Sequence, residues 1–138
     1  LLDVNPPAAV RNSLMSTRVL SILALLVTVL LGILTRGIPG VGDALGGILY
    51  TVMIALLVLV LRPTTSARIA GLCGFLFSTA IELLQLTDIP RSIVTHVPPA
   101  RWVLGSTFNA QDLGWYAVGG VVAAGVCWAI RQSTRNVH

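Results

Sequence analysis

The sequence predicts an all-α integral membrane protein, a compact bundle of four transmembrane helices with a structured outward-facing loop between the third and fourth. Of its 138 residues, 55% are hydrophobic and 10% are charged, and the mean hydropathy is +0.88. The apolar residues fall in four separate runs, each able to cross a hydrocarbon core of ~30 Å as a helix. The chain lacks the alternation of apolar and polar residues that a membrane β-barrel requires.

The predicted spans follow the four apolar runs. Each run holds roughly 16 to 18 residues by strict count, and a few residues more at each end bring it to the usual length of about 20. The spans are predicted at residues 19–34, 44–61, 69–86 and 113–130. The predicted divisions of the chain are an N-terminal extension at 1–18, a membrane domain at 19–130 and a cytoplasmic tail at 131–138. Within the extension, Met15 is typical of a natural chain start.

The placement of arginine predicts the orientation, because loops that face the cytoplasm carry an excess of basic residues. All nine basic residues are arginines. Three of them share the outer side with aspartates, and six lie on the side of the two termini: Arg11, Arg18, Arg62, Arg68, Arg131 and Arg135. We therefore expect both termini in the cytoplasm and the loops 35–43 and 87–112 outside. Arginines scattered singly at span ends suit lipid headgroups, so membrane lipids are expected partners and nucleic acid is not.

Glu82 is the most informative residue, because it lies inside the third span about one and a half turns from its end. A charged side chain that faces lipid there costs roughly 2.5 kcal/mol or more, so Glu82 must point into the bundle and find a partner. An intramembrane carboxylate is a functional-site hypothesis by default. Gly71, Gly74, Ser78, Glu82 and Gln85 are three or four residues apart and therefore share one face of the helix.

The predicted topology brings the polar residues at the outer ends of the spans to one membrane depth. Arg36 ends the first span, Asp43 begins the second, and Asp112 precedes the fourth. Donors and acceptors gathered in a partly dry setting can bind hydroxyls, amides or a phosphate. The predicted polar cluster consists of Arg36, Asp43, Glu82, Gln85, Arg101 and Asp112.

Each member of this cluster also has a simpler structural interpretation. Asp43 and Asp112 each precede a helix and could be N-caps. Arg36 and Arg101 could contact lipid headgroups, and Glu82 could form a purely structural ion pair with either arginine. Gln85 could equally hold two helices together through hydrogen bonds.

The sequence contains no motif for catalysis, metal binding or a cofactor. It has no nucleophile elbow, phosphate loop, HExxH motif or paired-cysteine site. Cys73 and Cys127 lie in apolar runs, where we expect buried, unreactive side chains. No cofactor and no metal are therefore expected. One enzymatic alternative stays open, a hydrolase or transferase that acts on a lipid-linked substrate with Glu82 or Asp112 as general base.

The order and spacing of several short motifs resemble a known group of proteins. The motifs are Arg36-Gly37, Gly42-Asp43-Ala44-Leu45, Ile81-Glu82-Leu83-Leu84-Gln85 and the segment 104–119. From about Arg18 onward the chain resembles the small bacterial membrane proteins of the VanZ-like group, and most closely the related DUF2809 family. VanZ-like proteins usually have Asn where Tyr116 stands, which favours DUF2809. The resemblance also implies Arg91 as a motif position and so adds it to the predicted polar cluster. Tyr116 itself is predicted to lie in the interfacial aromatic belt, with Trp102 and Trp115.

The resemblance implies a compact helical bundle in the bacterial plasma membrane. VanZ-like proteins are linked to resistance against lipid-bearing glycopeptide antibiotics at the cell surface, so the resemblance implies a role in the cell envelope. The leading hypothesis is a non-enzymatic protein whose outer polar cluster binds a lipid headgroup or an envelope-active molecule. The main alternative is an accessory subunit of a larger membrane protein complex, which short spans, glycine-rich faces and the lack of a soluble domain also fit.

Overall fold

Each of the four apolar runs folds as a helix, because a backbone surrounded by hydrocarbon must satisfy its N–H and C=O groups within its own segment. The computed structural model describes residues 5–105 and 107–136. The first residues of the predicted extension, the last two of the predicted tail, and Ser106 within the matched segment 104–119 lie outside the described residues.

Four long helices and three short elements make up the described chain, which contains no strand. All four long helices are long and apolar enough to cross a membrane, so the protein is a multi-pass membrane protein. In chain order the helices are α1 (Ala8–Thr35), α2 (Gly42–Leu61), α3 (Ala67–Leu84), α4 (Ile89–His96), α5 (Arg101–Leu104) and α6 (Ala110–Arg135), with a 3-10 turn at Pro98–Ala100 before α5. The segment between α3 and α6 therefore holds α4, the 3-10 turn and α5.

The helices extend beyond the predicted spans, most of all at the start of α1. We predicted the first span from residue 19, whereas α1 begins at Ala8. The intervening Ala, Arg, Leu and Met residues are good helix formers, so the helix continues where the apolar run does not. Pro6 and Pro7 precede the first turn, and the Arg11 N–H donates to the Pro7 carbonyl at 3.0 Å. Hydropathy thus predicts only the apolar part of a helix, which can lie in the hydrocarbon core, and not the full length of the helix.

Helices α2 and α6 form the centre of the bundle. They pack against each other, and α1 and α3 each pack against both of them. The buried apolar core accordingly comes mainly from one face of α2 and one face of α6, with Ala70 from α3. Its members are Val52, Ala55, Leu56, Leu59, Ala70, Ala123, Cys127 and Ile130.

Two glycines let α2 approach its neighbours closely. A Cβ on Gly74 would lie 2.6 Å from the Thr51 carbonyl oxygen, and a Cβ on Gly119 would lie 3.0 Å from both Cα and O of Ile48. Both contacts are with backbone atoms, which cannot move aside as a side chain can. A larger residue at either position would therefore force the helices apart. The predicted small and polar face of α3 is confirmed, since Gly71, Gly74, Ser78 and Glu82 are all buried.

Hydrogen bonds connect the helices at the end of the bundle that holds the start of α1, the turn between α2 and α3, and the end of α6. The Thr17 and Thr134 hydroxyls are 3.1 Å apart, and Arg18 Nε donates to the Val60 carbonyl at 2.9 Å. Arg131 Nη1 donates to the carbonyls of Pro63 and Thr65 at 2.8 and 2.7 Å. We call this the basic end, because its described charged residues are all arginines: Arg11, Arg18, Arg62, Arg68, Arg131 and Arg135.

Candidate functional site

A cavity of about 470 Å³ opens at the other end of the bundle, between the end of α1, the start of α2, the end of α3, α5 and the start of α6. The helix ends bring most of the predicted polar cluster around it. Arg91 is the exception, because it lies exposed on α4 and is not a lining residue. The members that line the cavity are Arg36, Asp43, Glu82, Gln85, Arg101 and Asp112.

The Glu82 carboxylate is 1% exposed and accepts two hydrogen bonds from the region where α6 begins. Its Oε1 accepts from the backbone N–H of Asn109 at 2.6 Å, and its Oε2 accepts from the Tyr116 hydroxyl at 2.8 Å. Neither Arg36 nor Arg101 supplies these bonds, so the interpretation of Glu82 as the partner of either arginine in an ion pair is wrong. The Glu82 carboxyl group faces α6, where both of its hydrogen-bond partners are neutral donors.

The bond from Asn109 to Glu82 shows that α3 supplies a hydrogen-bond acceptor to the N-terminus of α6. Asn109 is the N-cap of α6, and its side-chain oxygen accepts from the Gln111 N–H at 3.1 Å. In a capping box, the backbone N–H of the N-cap bonds to a side chain three residues later in the same helix. Here that N–H donates instead to Glu82 of α3, so the two helices are joined by a capping interaction.

Neither aspartate of the cluster is an N-cap, which corrects one of the structural interpretations. The N-caps are Val41 for α2 and Asn109 for α6, and both aspartates lie in the first turn of their helices. Carboxylates there complement the positive end of the helix dipole. Asp112 Oδ1 also accepts a hydrogen bond from Asn109 Nδ2 at 3.2 Å. Asp43 is exposed to solvent. Both aspartates line the cavity and can contact a ligand.

Gln85 connects α3 to the end of α5. Its Nε2 donates to the Leu104 carbonyl at 2.7 Å, which fixes the orientation of the amide. Gly105 follows with a φ of 65°, and a Cβ there would lie 2.5 Å from Gln85 Nε2, so this position requires glycine. The Gln85 Oε1 atom is buried and has no hydrogen-bond partner among the described residues. A buried acceptor without a donor lowers the stability of the fold.

Two further contacts hold α5 beside the cavity. The Arg36 guanidinium carbon lies 4.1 Å from the centroid of the Trp102 ring, which is a cation–π contact. The Tyr50 hydroxyl donates to the Val103 carbonyl at 3.1 Å. Arg36, Arg101 and Trp102 are exposed, so the two guanidinium groups keep access to solvent or to a ligand.

Sequence reasoning missed Asn109, Tyr50 and Tyr116 as parts of the site. Tyr116 was assigned to the interfacial belt, but it is 7% exposed and bonded to Glu82. Its spacing was the available signal: Tyr116 lies four residues after Asp112 and three before the buried Gly119, so it shares their helix face. No comparable signal marks Asn109, because its contribution to Glu82 comes from the backbone.

The fold and the cavity define a class, the small multi-pass membrane proteins built from a four-helix bundle. The chain belongs to DUF2809, a family described as "Protein of unknown function", whose family model matches residues 39–120. The matched segment runs from the turn after α1 into the first part of α6 and includes Asp43, Glu82 and Asp112. No curated protein and no solved structure matches the chain.

Proposed function

We propose that this DUF2809 protein binds a lipid headgroup, or an envelope-active molecule of similar polarity, in the cavity at the polar end of the bundle. The observation that carries the proposal is the convergence of charged groups of both signs on one cavity of about 470 Å³. This volume lies within the range of roughly 300 to 1,000 Å³ that small-molecule sites usually occupy.

The composition of the cavity wall supports a ligand that is part polar and part apolar. Arg36, Arg101 and the aspartates offer charge, whereas Val29, Ile33 and Met53 line the cavity from α1 and α2. A phospholipid presents the same combination, since its polar headgroup is joined through glycerol to apolar acyl chains. The resemblance of the motif residues to VanZ-like proteins supports a place for such a ligand in the bacterial cell envelope.

The geometry favours binding over catalysis. A general base needs an oxygen within hydrogen-bond reach of the proton that it removes. Both oxygens of Glu82 already accept bonds from Asn109 and Tyr116, and the residue is buried. We therefore propose that Glu82 shapes the cavity and that the exposed arginines and the two aspartates contact the ligand.

We further propose that the protein lies in the bacterial plasma membrane with both termini in the cytoplasm, so that the cavity faces outward. The basic end supports this orientation, because arginine-rich ends remain on the cytoplasmic side. Thr64 at the basic end and Ser92 on α4 are both exposed. In a variant whose Cys73 and Cys127 are replaced, we expect Cys at position 64 to react with an impermeant thiol reagent only after cells are opened. Cys at position 92 should react in intact cells, and the reverse pattern would contradict the orientation.

The binding proposal is tested by native mass spectrometry of the purified protein with its co-purified lipids. Arg101 and Arg91 form a matched pair, since both are exposed and only Arg101 lines the cavity. We expect Arg101→Gln to lower the retained lipid about tenfold, because a charge-assisted hydrogen bond contributes roughly 1.5–3 kcal/mol. Arg91→Gln should leave retention unchanged. A wild-type protein that reproducibly retains no specific ligand would refute the proposal.

One observation favours the alternative of an accessory subunit. An apolar groove of about 430 Å³ runs between α1 and α6, lined by Leu20, Leu23 and Val27 on one side and by Val126 and Ile130 on the other. An apolar groove of this kind suits the helix of a membrane partner. Purification in a mild detergent separates the two functions: a stoichiometric partner would favour the subunit role, and a protein recovered alone with bound lipid would favour the cavity.

A further inference from the structure

We infer that the cavity selects a headgroup carrying a primary ammonium together with a phosphate, the chemistry of phosphoethanolamine. This inference rests on the proposed headgroup site and names its ligand class. The ammonium would face the two aspartates, and the phosphate would face the two exposed arginines.

The first step is that the protein itself already uses four of the neutral donors that line the cavity. The Tyr50 hydroxyl donates to the Val103 carbonyl, the Tyr116 hydroxyl donates to Glu82, and Gln85 Nε2 donates to the Leu104 carbonyl. The Thr28 hydroxyl likewise donates to the Ala24 carbonyl at 2.8 Å. A ligand that needed neutral donors from these four residues would have to break existing bonds.

The second step is that acceptors remain free on the same wall. Gln85 Oε1 is buried without a partner among the described residues. Asp112 uses its Oδ1 to accept from Asn109, which leaves its second oxygen, and Asp43 lines the cavity with an exposed side chain. The complementary group is therefore a donor with positive charge. A primary ammonium has three N–H donors and no acceptor, which suits the two carboxylates.

The third step concerns charge. Glu82 is already stabilised by its two hydrogen bonds, so Asp43 and Asp112 are the carboxylates left for a ligand. Arg36 and Arg101 balance them, and guanidinium groups pair well with phosphate oxygens. Two charges of each sign fit a ligand that carries both an ammonium and a phosphate. A metal ion is a poorer fit, because no group of three candidate metal ligands occurs among residues 5–105 and 107–136.

The test compares lipids that differ only in the number of N–H donors. Purified protein is incorporated into nanodiscs that contain equal amounts of two lipids, and the retained lipid is counted by native mass spectrometry. The series is phosphatidylethanolamine, its N-methyl and N,N-dimethyl forms, and phosphatidylcholine, with phosphatidylglycerol as an anionic lipid without an amine. We expect retention to fall at each methylation, on the order of tenfold between the first and last members.

The outcomes separate the inference from the proposal on which it rests. Retention of phosphatidylcholine or phosphatidylglycerol at least as strong as that of phosphatidylethanolamine would overturn the amine inference and leave headgroup binding intact. Retention of none of these lipids would overturn both. Competition by soluble phosphoethanolamine as effective as that of the lipid would support the amine but identify a free molecule as its source.

Two variants locate the ammonium. Asp43→Asn removes a charge from an exposed lining residue, whereas the control Asp88→Asn removes one from an exposed aspartate that does not line the cavity. We expect Asp43→Asn to lose the preference for phosphatidylethanolamine over phosphatidylcholine and Asp88→Asn to keep it. Asp112→Asn provides a second variant that still offers an acceptor to Asn109. A purely structural role would change the amount of folded protein without changing headgroup preference, and unchanged preference in both lining variants would overturn the inference.

Discussion

Replacement of Glu82 by Ala is expected to lower the free energy of unfolding by about 3 kcal/mol. The substitution leaves two donors, the Asn109 N–H and the Tyr116 hydroxyl, without their acceptor. Each unsatisfied buried donor costs roughly 1–3 kcal/mol, and the space left by the side chain adds to the loss. Denaturation of the purified protein in detergent micelles measures the effect. An unchanged unfolding midpoint would show that the carboxylate has no structural role.

Two milder variants separate hydrogen bonding from charge. Glu82→Gln keeps an oxygen for the Asn109 N–H, and its new amide can donate to the Tyr116 hydroxyl, which is able to accept as well as donate. Tyr116→Phe removes only one of the two bonds. Each should cost about 1 kcal/mol. If Glu82→Gln destabilised the protein as strongly as Glu82→Ala, the negative charge itself would be the stabilising feature.

A double-mutant cycle tests whether the Arg36 and Glu82 side chains are coupled in their contributions to the free energy of unfolding. Because Glu82 bonds to Asn109 and Tyr116 while Arg36 stacks on Trp102, we expect the effects of Arg36→Ala and Glu82→Ala to add within about 0.5 kcal/mol. Rescue of one substitution by the other would instead show that the two side chains form an ion pair.

The second large effect is expected from Gly119→Ala. A Cβ at this position would lie 2.8 Å from Thr51 Cβ and 3.0 Å from the backbone of Ile48. Because α2 and α6 form the centre of the bundle, moving them apart disturbs the contacts of all four long helices. We expect a loss of about 1–3 kcal/mol, the usual cost of overpacking, measured by the same denaturation experiment.

Gly125→Ala is the matched control on the same helix. A Cβ there would meet no atom within 4 Å, so only the higher helix propensity of Ala remains, at most about 1 kcal/mol in favour of folding. Equal destabilisation by both substitutions would mean that the effect comes from glycine as such and not from the contact with α2.

Hydropathy predicted the four transmembrane helices because burial in a bilayer imposes a minimum length of apolar sequence. It could not predict the true start of α1, since residues from Ala8 onward are helical without being apolar. Helical spacing predicted the buried face of α3 that includes Gly74 and Glu82. It could not predict which helix that face meets, because spacing along one helix carries no information about its neighbours.

The sequence indicated where the charged residues of the candidate site lie along the helices, but it did not indicate which residues they contact. Reasoning from span ends placed Arg36 and Asp112 at the same membrane depth, because antiparallel helices place alternate ends together, and both residues line one cavity. The family resemblance added Arg91, which lies exposed on α4 and does not line the cavity. The partners of Glu82 were missed because a charge suggests a counter-charge, whereas Asn109 offers a backbone donor that no side-chain motif encodes.

The contacts of α6 at both of its ends bear on the order in which the protein assembles. Asn109 bonds to Glu82 of α3 at one end, and Arg131 bonds to the turn between α2 and α3 at the other. Of the four long helices, α3 has the lowest mean hydropathy, at 1.5. A chain that is synthesised from its N-terminus presents this weakly apolar helix with an unpaired carboxylate until α6 emerges. We therefore expect α6 to secure α3, which precedes it in the chain, and a defect in α6 to appear as failed insertion of α3.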